Sequence, residues 1–553
     1  HLDHAAVTGT DWKKFISAHR LPGGISRFSR LEADQQGANM GTDPGSSWLE
    51  TLAEIPAGER LERLRRLLQE QIAMTLGIRA ESLSVDQSLD TLGLDSLTLV
   101  EIFTVLEGRA GMHLPAGFLE KTVSMTGLAK ALLERMGLEY VPSHPSSNAG
   151  SPLNSENDST LYHDSRLSVS GSFPAALPPD PADDLLLTGA TGFLGTYLLA
   201  ALLRHTRGRI YALVRCTHPD EGITRIRRAL DRYDLLDTLD DDLAQRVSVL
   251  AGDICKPRLG LPAEQWSLLE QTVRSICHNA AQVDHLATYP TLRPVNVGST
   301  EQILALAAEG IPKRVHYTST VAVFAPARSD SPECVFQEQD TADTPEGLLG
   351  GYAQSKWVAE QRFLAARAQG LSLCLYRPGL LIGDDRTGLS NPDDLLWRIV
   401  RTAVALGIAP QDESILPLAR VDFTAEAIAR LSLRTTPEGN YHLLGKPVLN
   451  LQQLFALLEK HCGIRLNTLP VEAWLDRVKI GTSSAVDQAL LPYLRLFPET
   501  LRLDLLSNRH GLKFSMDRTL SCLDADMRGM HEALIPALVR NLSHLDLKPA
   551  VTQ

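Results

Sequence analysis

Cysteine is scarce in this chain and never paired along it. The seven cysteines (Cys216, Cys255, Cys277, Cys334, Cys374, Cys462 and Cys522) are odd in number, widely spaced and free of any C-x-x-C pair. That argues against a disulfide framework or a zinc cluster and for reduced thiols in a cytoplasmic protein, with no metal site expected. Positive charge is also short: 54 Lys and Arg face 66 Asp and Glu, a net charge of −12. Such a balance argues against a nucleic-acid partner, although it leaves room for a local basic pocket around a phosphate. A basic-then-apolar leader is missing, and the first residue is His1, as expected for a piece of a longer polypeptide. Long uncharged runs are missing except for Leu185–Leu203, which has the length of a membrane span. The glycines and hydroxyl residues near its start suit a strand, a tight turn and a helix instead, so no membrane partner is expected. There is no internal repeat.

What is present is ample for several cores. A chain of 553 residues suggests roughly three to four domains, and 44% hydrophobic with 22% charged residues is ordinary for a globular protein. Residues 1–45 carry little periodicity. TDWKKF around Trp12 and RFSRL around Arg27 resemble the closing segment of a polyketide ketoreductase, a flexible leader being the alternative. From Glu59, Leu61, Leu64, Leu67, Leu68, Ile72 and Leu76 recur every three or four residues and predict an amphipathic helix ending near Gly77. A second helix is expected from Asp95 toward Leu106 and another from Thr126 toward Met136, so residues 46–138 predict a small all-α bundle. Residues 139–182 are rich in Pro, Ser, Asn and Asp and predict a linker. From 183 to 390, short apolar runs (LLLTG, RIYALVR, VSVLAGD, SICHNAA, RVHYTST, LSLCLYRPG) alternate with helical segments. They predict a Rossmann-type, doubly wound parallel sheet. Residues 391–553 predict a mostly helical C-terminal substrate subdomain, with apolar helices near Leu451–Leu458 and Leu490–Leu496.

LGLDSLTLVE, Leu92 to Glu101, sits just before the second helix of the bundle. Asp-Ser at a helix start is also a good cap. In this helical context the segment resembles acyl and peptidyl carrier proteins, whose fold is a four-helix bundle, over residues 58–137. That resemblance implies that Ser96 carries 4′-phosphopantetheine, attached by a phosphopantetheinyl transferase. A helix N-terminus suits the phosphodiester, because free N–H groups and the helix dipole face it.

In LLLTGATGFLGTYLL, Gly189, Gly192 and Gly195 follow an apolar strand and open an apolar helix. Such glycines permit the tight turn, the approach of a pyrophosphate to the backbone, and close packing of helix on strand. Thr191, Phe193 and Leu194 join them in the predicted cofactor-binding set. Arg215 stands at the end of the second strand, where NAD-binding proteins place an acid. A cation there suits the 2′-phosphate of NADPH, and Arg225 is a second candidate. Asp253 and Ile254 end the third strand, where the adenine is expected. Asn279 and Ala280, in HNAA, follow the fourth and should line the cofactor trough.

Tyr352 and Lys356 form Y-x-x-x-K, one face of a helix turn. Thr320 closes the strand RVHYTST upstream. The order GATGFLG, GD, HNAA, YTST, YAQSK, YRPG resembles the extended short-chain dehydrogenase/reductase family over residues 183–390. Within it, GATGFLG with VR after the second strand most resembles thioester reductase domains. These end polyketide and nonribosomal peptide assembly lines. The resemblance implies that Tyr352 donates a proton, that Lys356 anchors the ribose and lowers the tyrosine pKa, and that Thr320 hydrogen-bonds the substrate carbonyl. It further implies an NADPH-dependent oxidoreductase that releases a carrier-bound acyl chain as an aldehyde or, after a second reduction, an alcohol, with upstream synthase domains as partners. The alternatives are a redox-inactive cyclisation domain and a sugar-nucleotide epimerase or dehydratase of the same superfamily. The first should lack Tyr352, and the second has no use for a carrier. A non-catalytic docking module would not need the full glycine-to-tyrosine set. A carboxylic acid reductase would need an adenylation domain upstream, which the segment before Glu59 does not resemble.

Overall fold

The computed structural model describes residues 52, 55–76, 125–136, 138, 160–168, 171–237, 239–285, 287–324, 335–348, 350–413, 415–434, 439–480 and 512–544. The chain divides into two compact units, residues 1–147 and 148–553.

In the first unit, Ala57–Leu76 (α1) and Met125–Arg135 (α2) are helices. Leu64, Leu68 and Ile72 of α1, one turn apart, are fully buried, as are Leu128, Leu132 and Leu133 of α2. The two apolar stripes pack on each other, because neither helix can hide its stripe alone. Leu67 lies at the margin of its stripe, half-buried. The helix expected from Asp95, with Ser96 at its start, lies outside the described residues.

The second unit is built on a seven-stranded, wholly parallel sheet. Its strands are Asp184–Thr188 (β1), Ile210–Val214 (β2), Val247–Ala251 (β3), Val273–His278 (β4), Arg314–Thr318 (β5), Ser372–Pro378 (β6) and Gly439–Leu443 (β7). They lie in the order β7-β6-β5-β4-β1-β2-β3. Every residue of β2 and β6 is buried, as strands covered on both faces must be. Phe193–His205 (α3) and Val421–Ser432 (α9) pack together over one face, while Gly298–Ala308 (α6) and Gly350–Ala368 (α7) cover the other. The strand order turns at β1, between β2 and β4. The carboxyl ends of β1 and β4 are therefore the switch point where open α/β sheets take their ligands.

The uncharged run Leu185–Leu203 is β1, a turn and α3. Ten consecutive residues of α3, Leu194 to Leu203, are buried under sheet and α9. Protein, not lipid, explains its lack of charge. Among the described residues no helix is long and apolar enough to cross a membrane.

Two expected boundaries differ from the structure. The segment after 390 is not all a separate subdomain, since α9 covers α3 and β7 completes the main sheet beside β6. An edge strand as apolar as β6 needs a partner, and β7 supplies it. A second core does form, between Leu395–Leu406 (α8), Leu451–Cys462 (α10), Val471–Ile480 (α11) and Leu534–His544 (α12). Trp397 and Trp474 are fully buried within it. The apolar helix expected near Leu490–Leu496 lies outside the described residues. The linker expected through 182 is also too long. Residues 160–165 form a helix, with Leu161 wholly buried among the residues around α7 and Phe173 buried beneath the sheet. Two apolar anchors in a polar stretch are too few to show as periodicity.

Candidate active site

The glycine turn bridges the switch point. Gly189 has a φ of +78°, a region that costs a side chain dearly. A Cβ on Gly189 would also stand 2.9 Å from the Ala280 backbone, and one on Gly195 would stand 1.8 Å from the Gly189 carbonyl oxygen. The turn is thus pressed between α3 and the residues after β4. Thr188 Oγ1 accepts from the backbone N–H groups of Asn279 (3.2 Å) and Ala280 (3.1 Å) and meets His278 Nδ1 at 2.9 Å. These bonds lock the ends of β1 and β4 together. The N-cap of α3 is Gly192, with no side chain closing the helix end. The first-turn N–H groups therefore stay open to an anion, and a nicotinamide nucleotide fits this cradle. Thr191 is half-buried and Gly192 exposed at its lip. Phe193 meets Tyr197 edge-on and Tyr233 at a tilt, and Leu194 turns its side chain into the core, so Leu194 offers the crevice its backbone.

At the end of β2 the Arg225 guanidinium, from Pro219–Arg232 (α4), donates to the Arg215 carbonyl. Arg215 is exposed and Arg225 half-buried, and this bond holds the Arg225 guanidinium at the backbone where Arg215 follows β2. Asp253 closes a turn, its Oδ1 accepting from the Cys255 N–H at 3.0 Å. Ile254 is half-buried against the core beneath β3.

Thr320 follows β5 and is buried. Its Oγ1 accepts from the Ala322 N–H at 3.2 Å, capping the short 3-10 turn Val321–Val323 against which α7 packs. With one lone pair so occupied, its O–H remains to be donated. Tyr352 and Lys356 stand one turn apart on α7. Lys356 Nζ donates to the Thr318 carbonyl at 2.6 Å and lies 4.4 Å from the Tyr317 ring centroid. The His285 ring meets Tyr352 edge-on, with centroids 5.9 Å apart. Burial pushes the Tyr352 phenol up to about 12 and pulls Lys356 down to about 7, the latter against the charge of Glu360. Burial, together with the Lys356 charge, holds His278 near 3, a neutral imidazole.

Three further residues organise this corner and were not singled out in the sequence. Asn296 ends Tyr289–Asn296 (α5) and donates to Ser355 Oγ (2.9 Å) and the Gln282 carbonyl (3.0 Å). It pins the loop after β4 to α7, between Tyr352 and Lys356. Glu360, wholly buried, accepts from Ser319 and from Arg377 of β6. Glu360 was findable, four residues beyond Lys356 on the same helix face, and Arg377 lies within YRPG. Nothing in spacing singles out Asn296.

Comparison with known proteins gives the chain its family. Residues 187–428 match the family described as male sterility protein, and residues 66–132, a span that includes Ser96, match the phosphopantetheine attachment site family. The crystal structure of the terminal R domain from the myxalamid PKS-NRPS biosynthetic pathway is 34% identical, with a TM-score of 0.63, over 70% of this chain and 96% of that one. A linear gramicidin synthase of Brevibacillus parabrevis is 33% identical over 405 residues, 73% of this chain and 8% of that protein. The L-2-aminoadipate reductase large subunit of Eremothecium gossypii is 29% identical over 522 residues, 88% of this chain and 37% of that protein. The chain thus spans well under half the length of these curated relatives. It belongs to the family of assembly-line thioester reductase domains, oxidoreductases that use a nicotinamide cofactor, here following a phosphopantetheine carrier domain.

Proposed function

We propose that the protein releases an acyl chain from Ser96-linked phosphopantetheine by NADPH-dependent reduction, giving an aldehyde. The reading rests on one observation above others. The carboxyl ends of β1, β4 and β5 bring an open anion cradle next to Thr320 and the helix of Tyr352 and Lys356, in a chain that also carries an attachment site for a thioester arm. The nicotinamide nucleotide, when bound, supplies hydride. Gly189, Thr191, Gly192, Phe193, Leu194 and Gly195 would hold its pyrophosphate end, and Asp253, Ile254, Asn279 and Ala280 would line its trough. Arg215, just after β2, and Arg225, whose guanidinium reaches the Arg215 carbonyl, favour a 2′-phosphate and hence NADPH over NADH.

The chain's own groups act on the acyl carbonyl. As that carbon becomes tetrahedral, its oxygen gains negative charge. The Thr320 and Tyr352 hydroxyls would donate to it. Tyr352 keeps its proton at neutral pH and would deliver it to this oxygen. Lys356, when cationic, would anchor the ribose and favour the tyrosinate left behind. When the C–S bond breaks, the electron pair leaves with the pantetheine sulfur, the proton on the oxygen passes back through Tyr352 to that sulfur to give the thiol, and the aldehyde carbonyl re-forms. A second reduction of that aldehyde gives the alcohol. The odd number and wide spacing of the cysteines, with no C-x-x-C motif, support a cytoplasmic location, within a polyketide or nonribosomal peptide assembly line whose upstream domains load the carrier through a phosphopantetheinyl transferase-modified Ser96.

The test is mass spectrometry of the product released from an acyl pantetheine thioester with NADPH or NADH. An aldehyde or alcohol with stoichiometric NADPH oxidation is expected. A free acid or a cyclised product with the nucleotide unconsumed would favour the redox-inactive reading.

A further inference from the structure

Glu360 has no exposed surface and pairs with the equally buried Arg377. Burying a carboxylate is costly, and a buried ion pair seldom stabilises a fold more than apolar residues of the same volume would. Its surroundings show what the charge touches. Glu360 Oε2 accepts from Ser319 Oγ at 2.5 Å, and Oε1 accepts from Arg377 Nη2 at 2.5 Å and Nε at 3.1 Å. Ser319 N–H donates to the Tyr376 carbonyl at 2.7 Å. The residue immediately before Thr320 is thus fixed through both backbone and side chain, and the side-chain anchor is Glu360. The same carboxylate stands on α7 one turn beyond Lys356, and Tyr352, Lys356 and Glu360 succeed one another at four-residue steps on one face.

We propose that Glu360 is a positioning residue for the reduction: it holds the strand end that carries Thr320 and supplies the negative charge that faces Lys356. The inference rests on the roles proposed above for Thr320, Tyr352 and Lys356. The other groups around Lys356 do not replace that charge. Tyr317 from β5 offers a ring face, His278 from β4 is neutral, and Tyr352 keeps its proton. Around Glu360 stand Arg377, Ser319 and Tyr317. Arg377 is held in turn by the Asp340 carbonyl (3.0 Å), by the Phe324 ring (4.7 Å) and beside His442. Of the charges near Lys356, Glu360 is the one that raises its proton affinity.

Glu360→Gln keeps the shape and removes the charge. Because it leaves Arg377 buried without its anion, Glu360→Gln/Arg377→Met is prepared beside it, removing both charges together. Two readouts are used. The first is the titration of Lys356 by NMR of ε-13C-lysine protein, with its signal assigned through Lys356→Met. The second is the pH profile of single-turnover NADPH oxidation with an acyl pantetheine thioester. Loss of the anion should move the Lys356 midpoint and the basic limb of the rate profile down together by about one pH unit or more, roughly tenfold in rate above that limb. Glu360→Asp should restore most of the shift. Ser319→Ala should slow turnover while leaving the Lys356 midpoint in place. An unmoved midpoint in both charge-removing variants overturns the proposal, as does a moved midpoint with an unchanged rate profile. If the wild-type protein reduces no thioester, the proposed function falls, and the positioning role falls with it. A shifted midpoint would then still register the Glu360–Lys356 coupling.

Discussion

Asp164 grips Arg293 with both oxygens, Oδ2 2.6 Å from Nε and Oδ1 3.0 Å from Nη2, across 129 residues of chain. Tyr289 Oη adds a third bond at 2.5 Å. Burial pulls the Asp164 carboxyl up, but these donors outweigh it and hold it below its usual range. The residues before β1 are thereby fastened to α5, the helix that ends in Asn296. Asp164→Asn should destabilise the reductase unit by about 1.5–3 kcal/mol, at the lower end because the Arg293 side chain is still 39% exposed. A depressed carboxyl stabilises above its unfolded pKa and loses that contribution as pH falls through the folded one. The deficit of the variant, measured by urea denaturation, should therefore shrink in acid. A variant as stable as wild type at pH 7 would mean the clasp is ornamental.

Limited proteolysis should respect the same clasp. Cleavage is expected within 139–159, whose composition suits a linker, and not within 171–182, where Phe173 is buried. N-terminal sequencing of the larger fragment checks this. A fragment beginning beyond Phe173 would contradict it.

Arg215→Ala should narrow the preference for NADPH over NADH by roughly 10- to 150-fold, the worth of about 1.5–3 kcal/mol for a charged hydrogen bond. Arg225→Ala should have a smaller effect, because its guanidinium already serves the Arg215 carbonyl. Nucleotide titrations of each variant decide. Equal affinity of the wild type for both nucleotides would remove the assignment.

Tyr352→Phe should lower single-turnover reduction by about 10²- to 10⁴-fold, or roughly 2.7–5.4 kcal/mol, with little loss of stability or nucleotide binding. Thr320→Ala should cost less. Near-wild-type reduction by Tyr352→Phe would end the proposed chemistry.

The role proposed for Lys356 predicts a pH dependence. Its folded pKa is lowered to about 7, so the ammonium is lost as pH rises through that value. If turnover needs the ammonium, kcat/KM, which follows the free enzyme, should fall about tenfold for each pH unit above 7. A profile flat to pH 9 would show that Lys356 stays charged or is not required.

Ser96→Ala should abolish modification by a phosphopantetheinyl transferase while leaving reduction of free pantetheine thioesters intact. Intact-protein mass spectrometry is the check, and a variant that still gains the prosthetic group would move the attachment site elsewhere.

Much of this molecule was written in local pattern. The glycines of GATGFLG, the β-branched runs and Y-x-x-x-K each obey a short-range rule, of turn conformation, strand burial or helix periodicity, and a short-range rule is visible in sequence. The amphipathic stripes of α1 and α2 are of the same kind. Tertiary structure decided what depends on partners far along the chain. β7 joins the sheet because β6 lacks an outer neighbour, not because GNYHL, with its Asn440 and His442, reads as a buried strand. The 160–182 stretch docks because Asp164 finds Arg293 and Tyr289, although its composition is that of a linker. Asn296, Glu360 and Arg377 matter through contacts made across 14 to 59 residues of chain. A buried charge gains its meaning only from what the fold places against it, because in a low-dielectric interior its energy is set by the few groups within reach.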